Sequence, residues 1–467
     1  AANPQVLFNG MWDAALNFTD LDVCVGELGI LGDSGQELYD FLVGSGAAAA
    51  CYYDANQSGV GDWRLTGPRL EAFEAALEGT EYPKAEPPVV GEEYPANPDV
   101  VLQPGDNVQP HLTAGAIVEL LPGVYGDQQL SPAQGVYLFS RSEASFSTPQ
   151  IDTKTFIDAG GDDVTLRGLK VDGYGRRRWH GDAAINVPGD RWTLIDVEVM
   201  RTHTGIDLRR SGHHLVRPRL HDCGRYGWHG GTNTLIEDAE VWNISLADGL
   251  VPRVSDSNRG VCKMAGGSSG VHVSGLKAWN LDGAKGLWWD GARDGTAENV
   301  EVWDCEHNAV SVEVCWGGAE NAPSGKETTY PDYAFVIDGV TVHGQTNQNP
   351  NQHWPEPSAV SVSMSPGVLV RNIDIEDCMN GIGVLYSAAH STFQAGYPAQ
   401  NITAEWAQQN LSNDRVRFEN AVVGPCGNFV AGVVSGDPEF VNCDFAEGRF
   451  RWHGDTALTR SQFLAHL

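Results

Sequence analysis

The stretch that decides the fold runs from Gly260 to Val314 and reads GVCKMAGGSSGVHVSGLKAWNLDGAKGLWWDGARDGTAENVEVWDCEHNAVSVEV. Short apolar strands alternate in it with turns, and one strand type opens on a small residue, at Gly260, Gly286 and Ala309. Side chains alternate faces along a strand, so the next residue is expected to face a core, and those two and four positions on to face outward. The predicted outer face carries Trp288, Asp290, Ser311 and Glu313.

The same strand–turn–strand unit recurs on both sides of this stretch. Its variants include VTLRGLKVDG, WTLIDVEVMR, TLIEDAEVWN, VHVSGLKAWN, FVIDGVTVHG and VLVRNIDIED. Their late apolar positions fall at Val171, Val199, Leu220, Val241, Ala278, Val302, Val342 and Ile375. A base step of roughly 20–24 residues with occasional longer ones is typical of a coiled β-solenoid. A propeller requires four strands in about 40–45 residues at a steadier spacing, and the leucine pattern of leucine-rich repeats is missing.

The rest of the chain divides around this solenoid. Residues 1–95 are predicted to form a small, mainly helical accessory or attachment domain that ends in a proline-rich linker. Residues 96–150 are predicted to form the entry and cap of the solenoid, and residues 151–448 the solenoid itself. Residues 449–467 are predicted to form a C-terminal capping segment with a helix that starts at Thr459. The longest steps between repeats predict loops at residues 246–259, 315–333 and 344–357. Such loops are expected to wall a groove on one side of the coil.

Charge and cysteine content narrow the class of protein. The formal net charge is −31, which argues against nucleic acid or an anionic membrane as a partner. No apolar run reaches the about 18 residues that a membrane span needs. The nine cysteines are scattered without CxxC spacing, so we expect Cys223, Cys305, Cys378 and Cys443 to pack at the ends of repeats, and a disulfide near Cys24 and Cys51 stays open.

Extending the alignment predicts a ladder of outward side chains on one sheet. Two positions beyond each small residue come Asn186, Asp207, His229, Cys262, Trp288, Ser311, Ser361 and Gly383. Four positions beyond come Pro188, Arg209, Gly231, Met264, Asp290, Glu313, Ser363 and Leu385. Strict alternation would turn Lys263 inward. A lysine in a core is costly, so we expect a bulge or a one-residue shift that turns it outward.

This ladder contains residue types that suit carbohydrate chemistry. Asp290 and Glu313 on neighbouring coils would repel each other, which raises one pKa and divides the pair into an acid and a base. Lys263 is expected to stabilise charge or to act as a base. An exposed Trp288 is expected to stack on a sugar, and Arg209, Asp207 and His229 to contact the substrate. The alternative is that the ladder is only a solvated surface.

At this point the chain resembles the pectate-lyase-like superfamily of right-handed parallel β-helices. The resemblance covers roughly residues 100–450, opens with the PGD and PG turns around AIVELL, and includes Lys263, the Trp288-Trp289-Asp290 unit and Glu313. It implies an all-β right-handed parallel β-helix solenoid that acts on carbohydrate, because the superfamily holds lyases, glycoside hydrolases, uronate epimerases and virus tailspikes. The Asp triplet of calcium-dependent pectate lyases, the DPHE motif of alginate epimerases and the paired-Asp signature of polygalacturonases are missing.

Together these observations predict an extracellular polysaccharide-degrading enzyme, with hydrolase and lyase both open. The alternative is a virion spike or tail protein that binds, and in some cases cleaves, host-surface glycan. The expected partner is a polysaccharide or cell-surface glycan, and the expected state is a monomer for a secreted enzyme or a homotrimer for a spike. No metal or cofactor is expected. A structural calcium ion at residues 54–59 is less well supported than a glycine-rich turn.

Overall fold

The computed structural model describes residues 93–126, 128–147, 155–157, 159–173, 183–244, 260–265, 268–315, 333–346, 356–385, 405 and 411–467. The chain divides into two compact units, residues 1–87 and 88–467, and all described residues belong to the second. The helices predicted before residue 93, Cys24, Cys51 and residues 54–59 lie outside this part, as do all or most residues of the three predicted loops. The predictions made for them stay predictions.

Successive turns of the chain stack their strands in parallel into two sheets. Strands are numbered in chain order across both sheets. The first sheet contains β1 (Val100–Leu102), β2 (Ile117–Leu120), β3 (Gly123–Val124), β4 (Tyr137–Ser147), β5 (Thr165–Asp172), β7 (Thr193–Ile195), β8 (Glu198–Met200), β10 (His214–Val216), β11 (Arg219–His221), β13 (Leu235–Glu237), β14 (Glu240–Ile244), β16 (Val271–Ser274), β17 (Lys277–Leu281), β19 (Gly295–Cys305), β21 (Phe335–His343), β23 (Val368–Glu376), β25 (Val416–Val423), β27 (Glu439–Val441) and β28 (Asp444–Phe445). The all-β parallel β-helix solenoid predicted from the repeats is confirmed.

The second sheet carries the outward ladder. Its strands, in spatial order, are β6 (Ala183–Val187), β9 (Thr204–Ser211), β12 (Tyr226–Thr232), β15 (Gly260–Ala265), β18 (Leu287–Asp290), β20 (Val310–Glu313), β22 (Val360–Ser363), β24 (Asn380–Leu385), β26 (Phe429–Val433), β29 (Phe450–Trp452) and β30 (Asp455–Leu458). Only the last pair is antiparallel. A short 3-10 helix (Gln109–His111) lies between β1 and β2, and α1 (Arg460–Leu464) closes the described chain.

The apolar column predicted from the repeats forms the core of the solenoid. Each member is the register partner of the next, and all are fully buried: Val171, Val199, Leu220, Val241, Ala278, Val302, Val342 and Ile375. The column continues to Val423 on β25. No single turn can bury such a face alone, so the stacking of turns supplies the hydrophobic stabilisation. The predicted packing role of Cys223, Cys305, Cys378 and Cys443 is confirmed, since each is a free thiol in or against this core.

Residues in the left-handed backbone conformation stack on one another at the bends between strands. One column of positive φ angles runs along a bend of the first sheet, at Asp196, Arg217, Asp238, Gly275, Asn299, Gly339 and Asn372. A second such column is linked by side chains, because Asn243 donates to Asp222 at 2.9 Å and Asn280 donates to Asn243 at 2.7 Å. Asn, Asp and Gly adopt this conformation at least cost, which explains their recurrence at the turns.

The C-terminal segment covers the last turn of the core. The helix predicted to start at Thr459 is confirmed, with Thr459 as its N-cap in a capping box with Gln462. Phe463 of α1 is fully buried and packs against the rings of Phe440 and Phe450. An uncovered solenoid end would expose strand edges and apolar side chains. None of the helices in the described part of the chain has the length and apolarity that a membrane crossing requires.

The small residues that open the strands of the second sheet are required by close backbone contact. A Cβ atom at Gly286 would lie 2.1 Å from the carbonyl oxygen of Ala309 on the next coil. We therefore expect Gly286→Ala to destabilise the protein by about 1–3 kcal/mol, measured as a lower midpoint of urea unfolding. The control is Gly454→Ala, where nothing lies within 4 Å of the added atom. Equal midpoints for the two variants would refute this explanation of the small residues.

Candidate functional site

A column of polar side chains runs across the outer face of the second sheet. Successive strands from β6 to β22 place these residues side by side in register: Asn186, Asp207, His229, Lys263, Trp288, Ser311 and Ser361. A parallel column begins with Asp290 on β18 and continues to Glu313 and Ser363. Adjacent strands lie about 4.8 Å apart. The candidate residues predicted on β9, β12, β15, β18 and β20 are therefore brought together on one face.

On β15 the predicted ladder is wrong by one residue. Cys262 and Met264 were predicted to face outward, but both are fully buried in the core. Lys263 faces outward instead, opposite His229. The reason is that Gly260 pairs with Tyr226 rather than with Gly227, so this strand is shifted by one residue relative to its neighbours. The expectation of a one-residue shift that turns the lysine outward is confirmed.

Lys263 forms an ion pair across the strands. Its Nζ atom lies 2.7 Å from Oδ2 of Asp290 on β18 and 4.4 Å from the ring centroid of Trp288. Lys263 is buried, whereas 23% of the Asp290 side chain is exposed. A buried ammonium group is costly unless it is paired, and the carboxylate and the ring both offset that cost. The pair therefore ties the buried Lys263 to Asp290, whose side chain reaches the surface.

Glu313 lies at the centre of a buried polar cluster. Its Oε2 atom accepts from Lys285 Nζ at 2.5 Å and from Trp288 Nε1 at 3.1 Å. Its Oε1 atom accepts from Ser311 at 2.5 Å and from Asn308 at 3.1 Å. Burial by itself would raise the pKa of Glu313, but the charge and hydrogen bond of Lys285, together with the Ser311 hydroxyl, lower it. The carboxylate is thus held ionised by four donors.

This geometry corrects the acid–base pair predicted for Asp290 and Glu313. The two residues are register partners on β18 and β20, as the repeats predicted. However, each carboxylate has its own lysine, Lys263 for Asp290 and Lys285 for Glu313. The pKa of Glu313 is lowered rather than raised, because the attraction of the nearby ammonium exceeds the effects that would favour the neutral acid.

The expectation of an exposed Trp288 is also wrong. Only 4% of the residue is exposed, and two ammonium groups lie over its ring, Lys263 at 4.4 Å and Lys285 at 4.1 Å from the centroid. Its indole nitrogen is used by Glu313. Trp288 therefore connects the two ion pairs of the site, and its ring is not available as a flat surface for a sugar.

Sequence reasoning missed Lys285. It lies directly before the small residue Gly286, in the same position that Asn308 occupies before Ala309 on the next coil. Both Lys285 and Asn308 are buried and bind Glu313. A signal was present, because a charged residue next to the apolar strand LWWD needs a partner of opposite charge, and Glu313 follows one coil later.

His229 and Asp207 form a second pair on the same face. His229 Nδ1 lies 3.2 Å from Asp207 Oδ1, and Arg209 Nε donates to Asp207 Oδ2 at 2.7 Å. Burial would raise the pKa of Asp207, but the hydrogen bonds from His229 and Arg209 lower it. Arg209 also donates to Asn186 at 3.0 Å, and Tyr226 stacks on the imidazole with the ring centroids 5.3 Å apart.

The Asp207 carboxylate orients the imidazole through Nδ1. A carboxylate accepts the Nδ1 proton of a neutral histidine, and this tautomer, assigned from the hydrogen-bond network, leaves Nε2 able to accept a proton. His229 is the register neighbour of Lys263. An oriented base and a fixed ammonium group therefore lie on adjacent strands, which permits proton abstraction next to a bound negative charge.

No group of three or more His, Cys, Asp or Glu side chains within the described ranges is placed to hold a metal ion. The expectation that the protein works without a metal or another cofactor stays a prediction.

Comparison with solved structures shows the fold. The catalytic unit of a thermostable GH87 α-1,3-glucanase from Streptomyces thermodiastaticus strain HF3-3 matches with a TM-score of 0.50 and 15% identity, over 73% of this chain and 61% of that one. The A-module of a mannuronan C-5 epimerase from Azotobacter vinelandii matches with a TM-score of 0.41 and 10% identity, over 72% and 87%. The chain thus spans about three-fifths of the glucanase unit. No family model and no curated protein sequence matches it. The predicted resemblance to parallel β-helix proteins is confirmed at the level of the fold.

Proposed function

We propose that the protein is a polysaccharide-processing enzyme whose site is the outer face of β9, β12, β15 and β18. One observation carries the proposal: two paired titratable groups, His229–Asp207 and Lys263–Asp290, lie side by side on one sheet face. Four adjacent strands of such a face span ~15 Å, the length of about three sugar units. A glucanase with a similar fold supports a polysaccharide as the substrate.

β-Elimination on an acidic sugar fits these residues better than hydrolysis does. Glycoside hydrolysis needs one protonated and one ionised carboxyl group. Glu313 and Asp207 both have lowered pKa values, and Asp290 is bound to the ammonium group of Lys263. No acid role is thereby supported for these three carboxyl groups. β-Elimination needs a base and a cation instead, and His229 and Lys263 supply them.

In the proposed reaction, His229 Nε2 removes the proton from the carbon that bears the sugar carboxylate. The electrons of that C–H bond form a carbon–carbon double bond as the bond to the glycosidic oxygen breaks. His229 Nε2 returns the proton that it removed to the leaving oxygen, so no water is consumed and the enzyme ends unchanged. Lys263, held by Asp290, binds the sugar carboxylate and stabilises the negative charge that develops there. Arg209 binds the chain further along the face, and Asp207 orients His229.

The first test is a cleavage assay on α-1,3-glucan, polymannuronate and polygalacturonate. We expect new reducing ends together with absorbance near 235 nm, the signature of an unsaturated uronate. Reducing ends without that absorbance would overturn β-elimination in favour of hydrolysis, while the polysaccharide substrate would stand. No cleavage of any polymer, with a trimer on sizing, would overturn the enzyme proposal in favour of the virion spike.

A further inference from the structure

The protein itself uses the whole hydrogen-bonding capacity of Glu313. An ionised carboxylate accepts about four hydrogen bonds, and four donors occupy those positions: Lys285, Trp288, Asn308 and Ser311. Only 12% of the side chain is exposed. Replacing a buried ion pair by apolar residues of similar volume is often neutral for stability. Stability alone therefore does not explain why a charged pair lies beside the proposed site.

The indole of Trp288 joins this buried carboxylate to Lys263. The two residues are neighbours on β18 and β15, because the residues that follow them, Trp289 and Met264, are register partners. The Lys263 ammonium group lies 4.4 Å from the ring centroid, and the indole N–H group donates to Glu313 at 3.1 Å. An aromatic ring attracts a cation through its negative face. The hydrogen bond to Glu313 therefore fixes the direction in which that face points.

The charge of Glu313 also makes the ring a better partner for a cation. Hydrogen bonds polarise one another in a low-dielectric interior, and an N–H group that donates to a carboxylate makes the rest of its indole more electron-rich. Lys285 holds this carboxylate at 2.5 Å. The backbone oxygen of Lys285 accepts from the amide of Val261 at 2.8 Å, near the start of the strand that carries Lys263. Lys285 therefore contacts both Glu313 and β15.

We propose that Glu313 and Lys285 are positioning residues that act on Lys263 through the ring of Trp288. The inference rests on the function proposed above, in which Lys263 binds the sugar carboxylate. A lysine carries its charge on a flexible four-carbon stem. The Asp290 side chain reaches the surface, whereas the ring is buried, so the ring is the more confined of these two contacts. It holds the ammonium group where negative charge develops in the reaction.

Two variants test this role in the reaction. Trp288→Phe keeps a ring next to Lys263 but removes the N–H group, and Lys285→Met with Glu313→Met replaces the buried pair by apolar side chains. We expect each to lower kcat/KM on the polymer that the protein cleaves by about 10–100-fold. Val342→Ala, a cavity in the core of the first sheet, should lower the urea midpoint and leave kcat/KM unchanged. An equal loss in that control, or no loss in the two site variants, would overturn the positioning role.

NMR tests the same geometry without a substrate. Protons held over the face of an indole resonate upfield of their usual position, and the chain has only seven lysines to resolve. We expect an upfield-shifted signal, assigned by its loss in Lys263→Met, that returns toward the usual position in the variant with Lys285→Met and Glu313→Met. An unchanged signal there would overturn the positioning role, whether or not any polymer is cleaved. A signal that shifts as expected in a protein that cleaves no polymer would overturn the proposed function alone.

Discussion

Replacing His229 with Gln is expected to lower kcat on the cleaved polysaccharide by about 10²–10⁴-fold, the usual contribution of a positioned general base. His229 is oriented by Asp207 at 3.2 Å and by the ring of Tyr226, and it lies next to Lys263 on the neighbouring strand. Glutamine keeps a polar side chain of similar reach but cannot take up a proton. Steady-state kinetics with the unsaturated product as readout will measure the loss.

A matched control is available on the other sheet. His214 has a similarly exposed side chain and a carboxylate partner, Glu237, at 2.5 Å, but it lies on β10, far from the proposed site in the fold. His214→Gln should therefore leave kcat unchanged. Lys263→Met should lose activity to a degree similar to that of His229→Gln, because the charge of the sugar carboxylate is then left unbalanced. Full activity in both site variants would show that the chemistry takes place elsewhere.

Breaking the buried pair of Lys285 and Glu313 is expected to be the largest change in stability. Lys285→Met leaves a buried carboxylate without its ammonium partner, and such losses typically cost about 3–5 kcal/mol. The Nζ to Oε2 distance is 2.5 Å and both side chains are buried. Urea unfolding at neutral pH will measure the difference in the free energy of unfolding. The double variant Lys285→Met with Glu313→Gln removes both charges and should lose much less than the sum of the two single variants.

The same pair makes the stability depend on pH. The pKa of Glu313 is lower in the folded protein than its ordinary value, so the folded state binds a proton at this group less readily than the unfolded state does. The contribution is fully present above the unfolded pKa of Glu and is lost as the pH falls through the folded pKa. The difference between the native protein and Glu313→Gln should therefore shrink on acidification. A difference that stays constant with pH would contradict an ionised Glu313.

The apolar column was predictable because insertions between repeats do not change what the core requires. From Val171 to Ile375, all eight matched positions are register partners, although three long segments separate some of them. Each turn must place a small or branched apolar side chain above the last, and this requirement is local. The outer ladder on β9, β12, β18 and β20 was predictable for the same reason.

The alignment placed Cys262 and Met264 outward because it relied on a glycine, although a one-residue shift that turns Lys263 outward was expected. Gly260 is a misleading anchor, since it pairs with Tyr226 rather than with the glycine that follows it. Cys262, Lys263 and Met264 alternate apolar, charged and apolar, and the cost of burying an unpaired lysine is the stronger constraint. Aligning Lys263 with His229 would have placed this strand correctly.

The partners of the site residues could not be predicted from the repeats. Residue order places Asp290 beside Glu313, but it does not say that Lys285, which bridges to Gly260, reaches Glu313 and covers the ring of Trp288. Exposure of an outward residue depends on what lies over the face. The same limitation applies to Ser361 and Ser363, which face outward and are nevertheless buried.

The most direct test of the proposed site is a crystal structure of the His229→Gln variant with an oligosaccharide of the cleaved polymer. The proposal predicts a sugar carboxylate at Lys263, with the chain running over β12 and β9 toward Arg209. An oligosaccharide bound on another face, for example along the first sheet where Trp242 and Trp279 stack 5.0 Å apart, with nothing over Lys263, would contradict it.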